Sequence, residues 1–233
     1  MAANHADWAI ETFNDLERRM SEVLRVVPYE QSHFRTYSPV LASILLDTCS
    51  FAESVLKSSM DNARYNGIAN IANLRAKRYA AAPPFLNIND LRTTFRADTM
   101  YGRKVWLLSR GEPSRPWYTW RQANVQHPSW WKAYNAAKHD RFGNASQATL
   151  AHTLHALKGA FLCMVLSLEF RERLVERAVI RCRGLAVNAL KPIAAQWEPL
   201  PTPEVVVATT ALLGFKFYSQ GSPEQAVDTS PFY

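Results

Sequence analysis

Residues 130–141 read WWKAYNAAKHDR, and residues 145–182, reached across Phe142, Gly143 and Asn144, read ASQATLAHTLHALKGAFLCMVLSLEFRERLVERAVIRC. In the second stretch Leu150, Leu154, Leu157, Phe161, Met164, Val165, Leu168, Val175 and Val179 recur at helical intervals. That spacing lines up side chains on one face of a helix. It predicts the longest helix of the chain over 145–182, capped by Asn144 or Ser146, stopped by Gly184, and carrying a Glu169–Arg173 ion pair. The first stretch predicts a short helix opened by Pro128 or Ser129 and ending near Gly143.

Further helices lie toward the N-terminus. Phe13, Leu16, Met20, Val23, Leu24 and Val27 place one over 6–27, and Pro28 ends it. Ser38 is a good N-cap and Pro39 suits the first helical position, so a second helix opens there. It carries Leu41, Ile44, Leu45, Thr48, Ala52, Val55 and Leu56 on one face and Glu53–Lys57 as an i,i+4 pair. A shorter helix is expected over 68–79, and another capped by Asn89 and running to Arg96. Between Phe85 and Gln126 the pattern is irregular, with a strand-like run over 101–108. After 184 the chain changes again: Pro192, Pro199, Pro201 and Pro203 make a stiff connector, and 205–218 reads as a strand or hairpin that pairs with the run near 101–108. The last residues, 219–233, read as loose. The expected organisation is a helical domain over 1–184 with an insertion at about 85–126, followed by a connector and β-hairpin tail over 185–233.

Only 8 of the 233 residues are glycine, which argues against a turn-rich all-β sandwich. Residues 1–10 include Asn4, His5 and Asp7 and have no apolar core, so no secretory leader is expected. The densest apolar run, over 160–168, is about half the ~20 residues of a membrane span. Cys49, Cys163 and Cys182 are widely separated and read as reduced, buried thiols, which fits a cytoplasmic protein. No metal site and no cofactor are expected: His152 and His155 lie three apart, but nothing is spaced to complete a ligand set.

The formal charge of +7 is unevenly placed. Between Arg64 and Arg121 stand eleven basic residues, Arg103, Lys104 and Arg121 among them, against Asp90, Asp98 and Glu112, a balance of 11 − 3 = +8. Aromatic residues alternate with these charges, the composition that suits single-stranded nucleic acid. A solvated face over an aromatic core reads equally well.

The functional groups concentrate in residues 130–141. On a helix Lys132, Asn135 and His139 share one face, and Trp131, Tyr134, Lys138 and Arg141 form an adjacent stripe. An imidazole there could take a proton from a ribose 2′-hydroxyl. Lys132, Lys138 or Arg141 could hold the phosphate, and Asn135 could orient the ring, without a metal. The alternative is structural: Asn135 bonds His139 within a polar joint, Asp140 and Arg141 cap the helix, and the tryptophans anchor the core. His127, just before Pro128, reads as at most a cap.

A Trp-Trp-x-x-Tyr-Asn-x-x-Lys-His-x-Arg stretch ahead of a long apolar helix resembles a pattern in bacterial HEPN-type domains. The Ser38-Pro39 helix start with Glu53 and Lys57, and Pro116-Trp117 followed by Trp120, are similar to the same group. The resemblance spans about 38–170. It implies a bundle of four to five helices with a small β/loop insertion and an irregular C-terminal tail, often a homodimer. For active members it implies metal-independent RNA cleavage, in toxin–antitoxin or phage-defence settings beside an antitoxin or defence partner. Active members carry an Arg, a polar residue after it, and a His four to six residues further on. Here the His corresponds to His139, with Lys132 in the place of the Arg. Two functions remain open: an RNA-directed protein acting as a nuclease, with the basic 64–121 segment guiding the strand, and a non-catalytic helical dimer or interaction module.

Overall fold

The Ser38 hydroxyl accepts the Leu41 amide at 3.1 Å and Pro39 takes the first helical position, so the second helix opens at the expected residue. The computed structural model describes residues 2–80, 83, 86–95, 100–121, 127–182, 185–195 and 206–217. Among them run eight helices: α1 (Ala2–Val26), α2 (Pro39–Ser59), α3 (Ile71–Arg78), α4 (Ile88–Phe95), α5 (Ser129–His139), α6 (Leu150–Leu166), α7 (Leu168–Glu176) and α8 (Val187–Ala195). Five short strands accompany them: β1 (Val105–Leu107), β2 (Glu112–Ser114), β3 (Ile180–Cys182), β4 (Val206–Thr209) and β5 (Leu213–Phe217). The protein is mainly helical with one small antiparallel sheet, ordered β2-β1-β5-β4-β3.

The core is built around α6. Every residue from Ala156 to Leu166 is buried, because α2, α1, α5, β1 and β5 all pack against this helix. A helix covered on all sides needs no polar face. Phe13 of α1 joins the layers, its ring 6.0 Å from Phe51 of α2 and 5.7 Å from Phe161 of α6. α2 is long and apolar enough to cross a membrane by length and composition, and 56% of that window is buried inside the protein. The Glu53–Lys57 pair forms on it at 2.6 Å. Cys49, Cys163 and Cys182 are buried free thiols, and burial pushes Cys49 and Cys163 well up.

The single helix expected over 145–182 is instead two helices and a strand. α6 and α7 meet at Ser167 with a bend of 93°. Ser167 is extended, its hydroxyl lies 2.8 Å from the Ser59 hydroxyl, and Arg171 Nε donates to the Val165 carbonyl at 3.3 Å. The Arg171 guanidinium thus serves a backbone carbonyl that a continuous helix would have served itself, and the serine pair ties the bend to α2. Thr149, rather than Asn144 or Ser146, caps α6 by accepting the His152 amide at 3.2 Å. α7 ends at Glu176, with Ala178 left-handed (φ 54°), ahead of Gly184, which lies outside the described residues. Arg173 does not serve Glu169; it reaches Asp7 of α1 at 2.8 Å and Glu176 at 2.7 Å. At 25 residues, α1 is the longest helix. α4 also starts differently: Asn87, not Asn89, accepts the first amides, those of Asn89 and Asp90.

The expected pairing of the two β regions is present. Trp106 faces Gly214 and Leu107 faces Leu213, while β4 and β5 form a hairpin whose other edge receives β3. Glu17 of α1 secures that hairpin. Its buried carboxylate accepts the Ala211 amide at 3.1 Å, the Leu212 amide at 2.8 Å and the Thr210 hydroxyl. Burial raises its pKa, and these hydrogen bonds oppose the shift. The connector over 196–205 and the segment 218–233 lie outside the described residues.

Candidate functional site

α5 buries Trp130, Trp131, Ala133, Tyr134 and Ala137 and exposes Lys132, Lys138 and His139. Its anchor is a group of indoles. Trp117 lies 4.2 Å from Trp120 and 4.8 Å from Trp130, and Trp130 lies 5.6 Å from Trp131. Trp130 Nε1 donates to the Pro116 carbonyl at 2.9 Å, and Trp117 Nε1 to the Gly159 carbonyl at 3.1 Å. Gly159 permits this approach, since a Cβ there would lie 2.9 Å from Trp130 Cζ2. The tryptophans therefore join insertion, α5 and α6 as core, in keeping with the structural reading of these residues.

The polar residues face outward. Lys132 and His139 are exposed and Asn135 is half-buried between them. Among the described residues none of these three side chains makes a hydrogen bond or ion pair, so the Asn135–His139 bond weighed from the sequence is not formed. Lys132 and His139 stand two turns apart, about 10 Å along the axis. They suit neighbouring phosphates better than one shared phosphate. Lys138 lies beside His139, its ammonium 5.3 Å from the centre of the Tyr134 ring, and the Tyr134 hydroxyl raises its pKa. Arg141 is exposed and makes no ion pair among the described residues.

Much of the positive charge between 64 and 121 is engaged internally. Arg75 donates to the Met60 and Asn62 carbonyls and to Asn66 Oδ1, all within 2.8 Å. Lys77 pairs with Asp90 at 3.0 Å, Arg78 with Asp61, and Arg110 with Glu30 at 3.5 Å. Arg92 is buried, and Arg103 and Lys104 are half-buried between a short turn and β1. Arg121 closes a 3-10 turn, and its side chain lies outside the described residues. Among the described residues, Lys132, Lys138 and Arg141 stand exposed on α5 and just after it.

Two residues carry more than their sequence context suggested. His127 is half-buried with Nδ1 enclosed and unbonded; burial lowers its pKa, and the charges of Lys132 and Arg92 lower it further. The imidazole beside Lys132 is thus His127, not His139. Phe142, just past α5, is almost fully exposed. Neither position has a periodic signature. A histidine and a phenylalanine in connecting segments become informative only when their surroundings are placed.

His152 and His155 take separate roles on α6. His152 Nδ1 lies 2.7 Å from the Gln147 carbonyl. His155 is partly buried, with its pKa lowered to about 4 by burial, then Lys158, then His152. Among the described residues no three His, Cys, Asp or Glu side chains gather as a metal set.

Compared with protein-family models, with curated proteins and with solved structures, the chain matches none.

Proposed function

We propose that this protein is an RNA-directed member of the HEPN-like group, gripping single-stranded RNA along the exposed face of α5 and cleaving it without a metal. One observation carries this reading. Lys132, His139 and Arg141 project into solvent without an internal partner among the described residues, whereas many cations of the 64–121 segment are spent inside the fold. Two unpaired cations, one on α5 and one in the loop just after it, with an imidazole between them, suit a chain of phosphates.

In the cleavage step His139 takes the proton of a 2′-hydroxyl, that oxygen attacks the adjacent phosphorus, and the 5′-oxygen leaves with a proton from water. The products are a 2′,3′-cyclic phosphate and a 5′-hydroxyl. Lys138 and Arg141 hold the phosphate at His139, and Lys132 holds its neighbour two turns away. Asn135, half-buried between them, contacts the sugar or a phosphate oxygen. The same reading implies a homodimer in the cytoplasm, in a toxin–antitoxin or phage-defence setting with a protein partner.

A non-catalytic interaction module is the second reading. It is favoured by His139 itself, which among the described residues makes none of the orienting hydrogen bonds that acid–base groups generally use. Cleavage of a labelled single-stranded RNA pool in EDTA separates the two. His139→Ala is expected to lower the rate at least about a hundredfold with an unchanged circular dichroism spectrum. Equal rates for variant and wild type would assign cleavage elsewhere or remove it.

A further inference from the structure

Phe142 is 94% exposed, the most exposed large apolar side chain among the described residues. The loop that presents it is built rather than slack. Asp140 Oδ1 accepts the Gly143 amide at 2.9 Å, and the Asn144 amide donates to the Asp140 carbonyl at 3.1 Å. Asn144 Nδ2 reaches back to the carbonyls of Ala136 at 3.2 Å and Asp140 at 3.1 Å, closing the end of α5. Gly143 lets the Asp140 carboxylate lie close over the turn, since a Cβ there would sit 2.2 Å from Asp140 Oδ2 and turn that side chain aside. Both ends of the loop are tied, and Arg141 and Phe142 stand at its crest.

The surroundings of the ring select its occupant. Lys138, His139 and Arg141 are exposed around it, and the nearby carboxylate of Asp140 is turned onto the Gly143 amide. An apolar protein partner would meet two cationic side chains and an imidazole at this spot. A polyanion that also carries flat aromatic faces meets the ring and the Lys138 and Arg141 charges together.

We propose that Phe142 is a base-stacking residue: one nucleobase of single-stranded RNA lies against its ring while Lys138 and Arg141 hold the flanking phosphates. The proposal rests on the RNA reading of α5 given above. Every base offers a π-face, so recognition here tolerates sequence. Bases already stacked in a duplex cannot lie on the ring, so single strands are preferred.

The test measures fluorescence anisotropy of the full chain with labelled, uncleavable 2′-O-methyl U and A homopolymers about 15 nucleotides long, and with a duplex of equal length, over a salt series. Phe142→Ala is expected to weaken single-strand binding about tenfold, leaving duplex binding and the slope of log Kd against log salt unchanged. Phe142→Leu, apolar but not aromatic, behaves like Phe142→Ala, and Phe142→Trp retains affinity. Arg141→Gln lowers the salt slope by about 0.7, the loss of one phosphate contact on a single strand. RNA substituted with 5-iodouridine cross-links at position 142. If Phe142→Ala binds like wild type and no cross-link forms there while Arg141→Gln still lowers the slope, stacking is wrong and the RNA reading stands. If the wild-type chain binds none of these RNAs, the RNA reading falls and the stacking with it. If Phe142→Ala instead splits a dimer in sedimentation and leaves RNA binding unaltered, a second copy of the chain covers the ring and the proposal is overturned.

Discussion

His155 on α6 has its pKa held down to about 4 by burial, then by Lys158 and His152. An unfolded chain protonates such a ring near its ordinary value, about 6.5. Between those limits the unfolded state binds more protons than the folded state, so stability falls as the pH drops through that window. The shift corresponds to at most about 3 kcal/mol. His155→Gln is expected to abolish most of this loss, measured as urea midpoints at neutral pH and near pH 4.5; an undiminished loss would place the acid sensitivity in another group. At Gly159 a methyl group would press on Trp130 Cζ2 from 2.9 Å. Gly159→Ala should therefore cost about 1–3 kcal/mol in thermal denaturation, and an unaltered Tm would show that the indole shifts freely. The spacing of Lys132, Asn135 and His139 along one face was legible in the sequence, since helical period alone sets which side chains share a face. The burial of His127 Nδ1 was not, because a residue in a connecting segment has no period to show which parts of the chain will cover it.

Elements differ in how much of them is local. The starts of α2 and α5 could be read directly: a hydroxyl cap with proline after it opens one, and alternating buried and exposed residues define the other, although α5 ends at His139 rather than near Gly143 because Asp140 is extended. α6 and α7 could not be separated, because the apolar spacing runs on through Ser167, and the bend is held by Ser59 and by Arg171 rather than by a helix breaker. The capping of α6 can be tested by pairing two changes. Thr149→Ala removes the acceptor of the His152 amide and should cost about 1 kcal/mol, while Ser146→Ala, one of the two caps the sequence offered, should cost almost nothing. Chemical denaturation compares them, and equal losses would mean that Thr149 contributes no cap energy.

Across the whole molecule, α1 and the β4–β5 hairpin meet through one carboxylate, Glu17, although they are far apart in sequence. Glu17→Ala leaves two amides without their acceptor, at a cost of about 1–3 kcal/mol. Because the folded-state pKa is raised, the contribution of this group is fullest below the ordinary glutamate range and declines as pH rises through the raised value. Glu17→Gln keeps an acceptor and no charge, so it should lose less than Glu17→Ala at neutral pH and remove that decline. Urea denaturation across pH 4–8 measures both, and identical losses for the two variants would rule out the acceptor as the source of the tie. By itself the sequence determined a mainly helical chain, several helix starts, two β regions and the outward face of α5, all of which follow from local period and capping chemistry. Only the tertiary structure decided the break at Ser167, the inward commitment of many basic residues between 64 and 121, the addition of β3 to the edge of the expected sheet, and the isolation of Phe142 at a tied loop. Each of those depends on partners distant in sequence, and a local pattern carries no record of which distant groups fold against it.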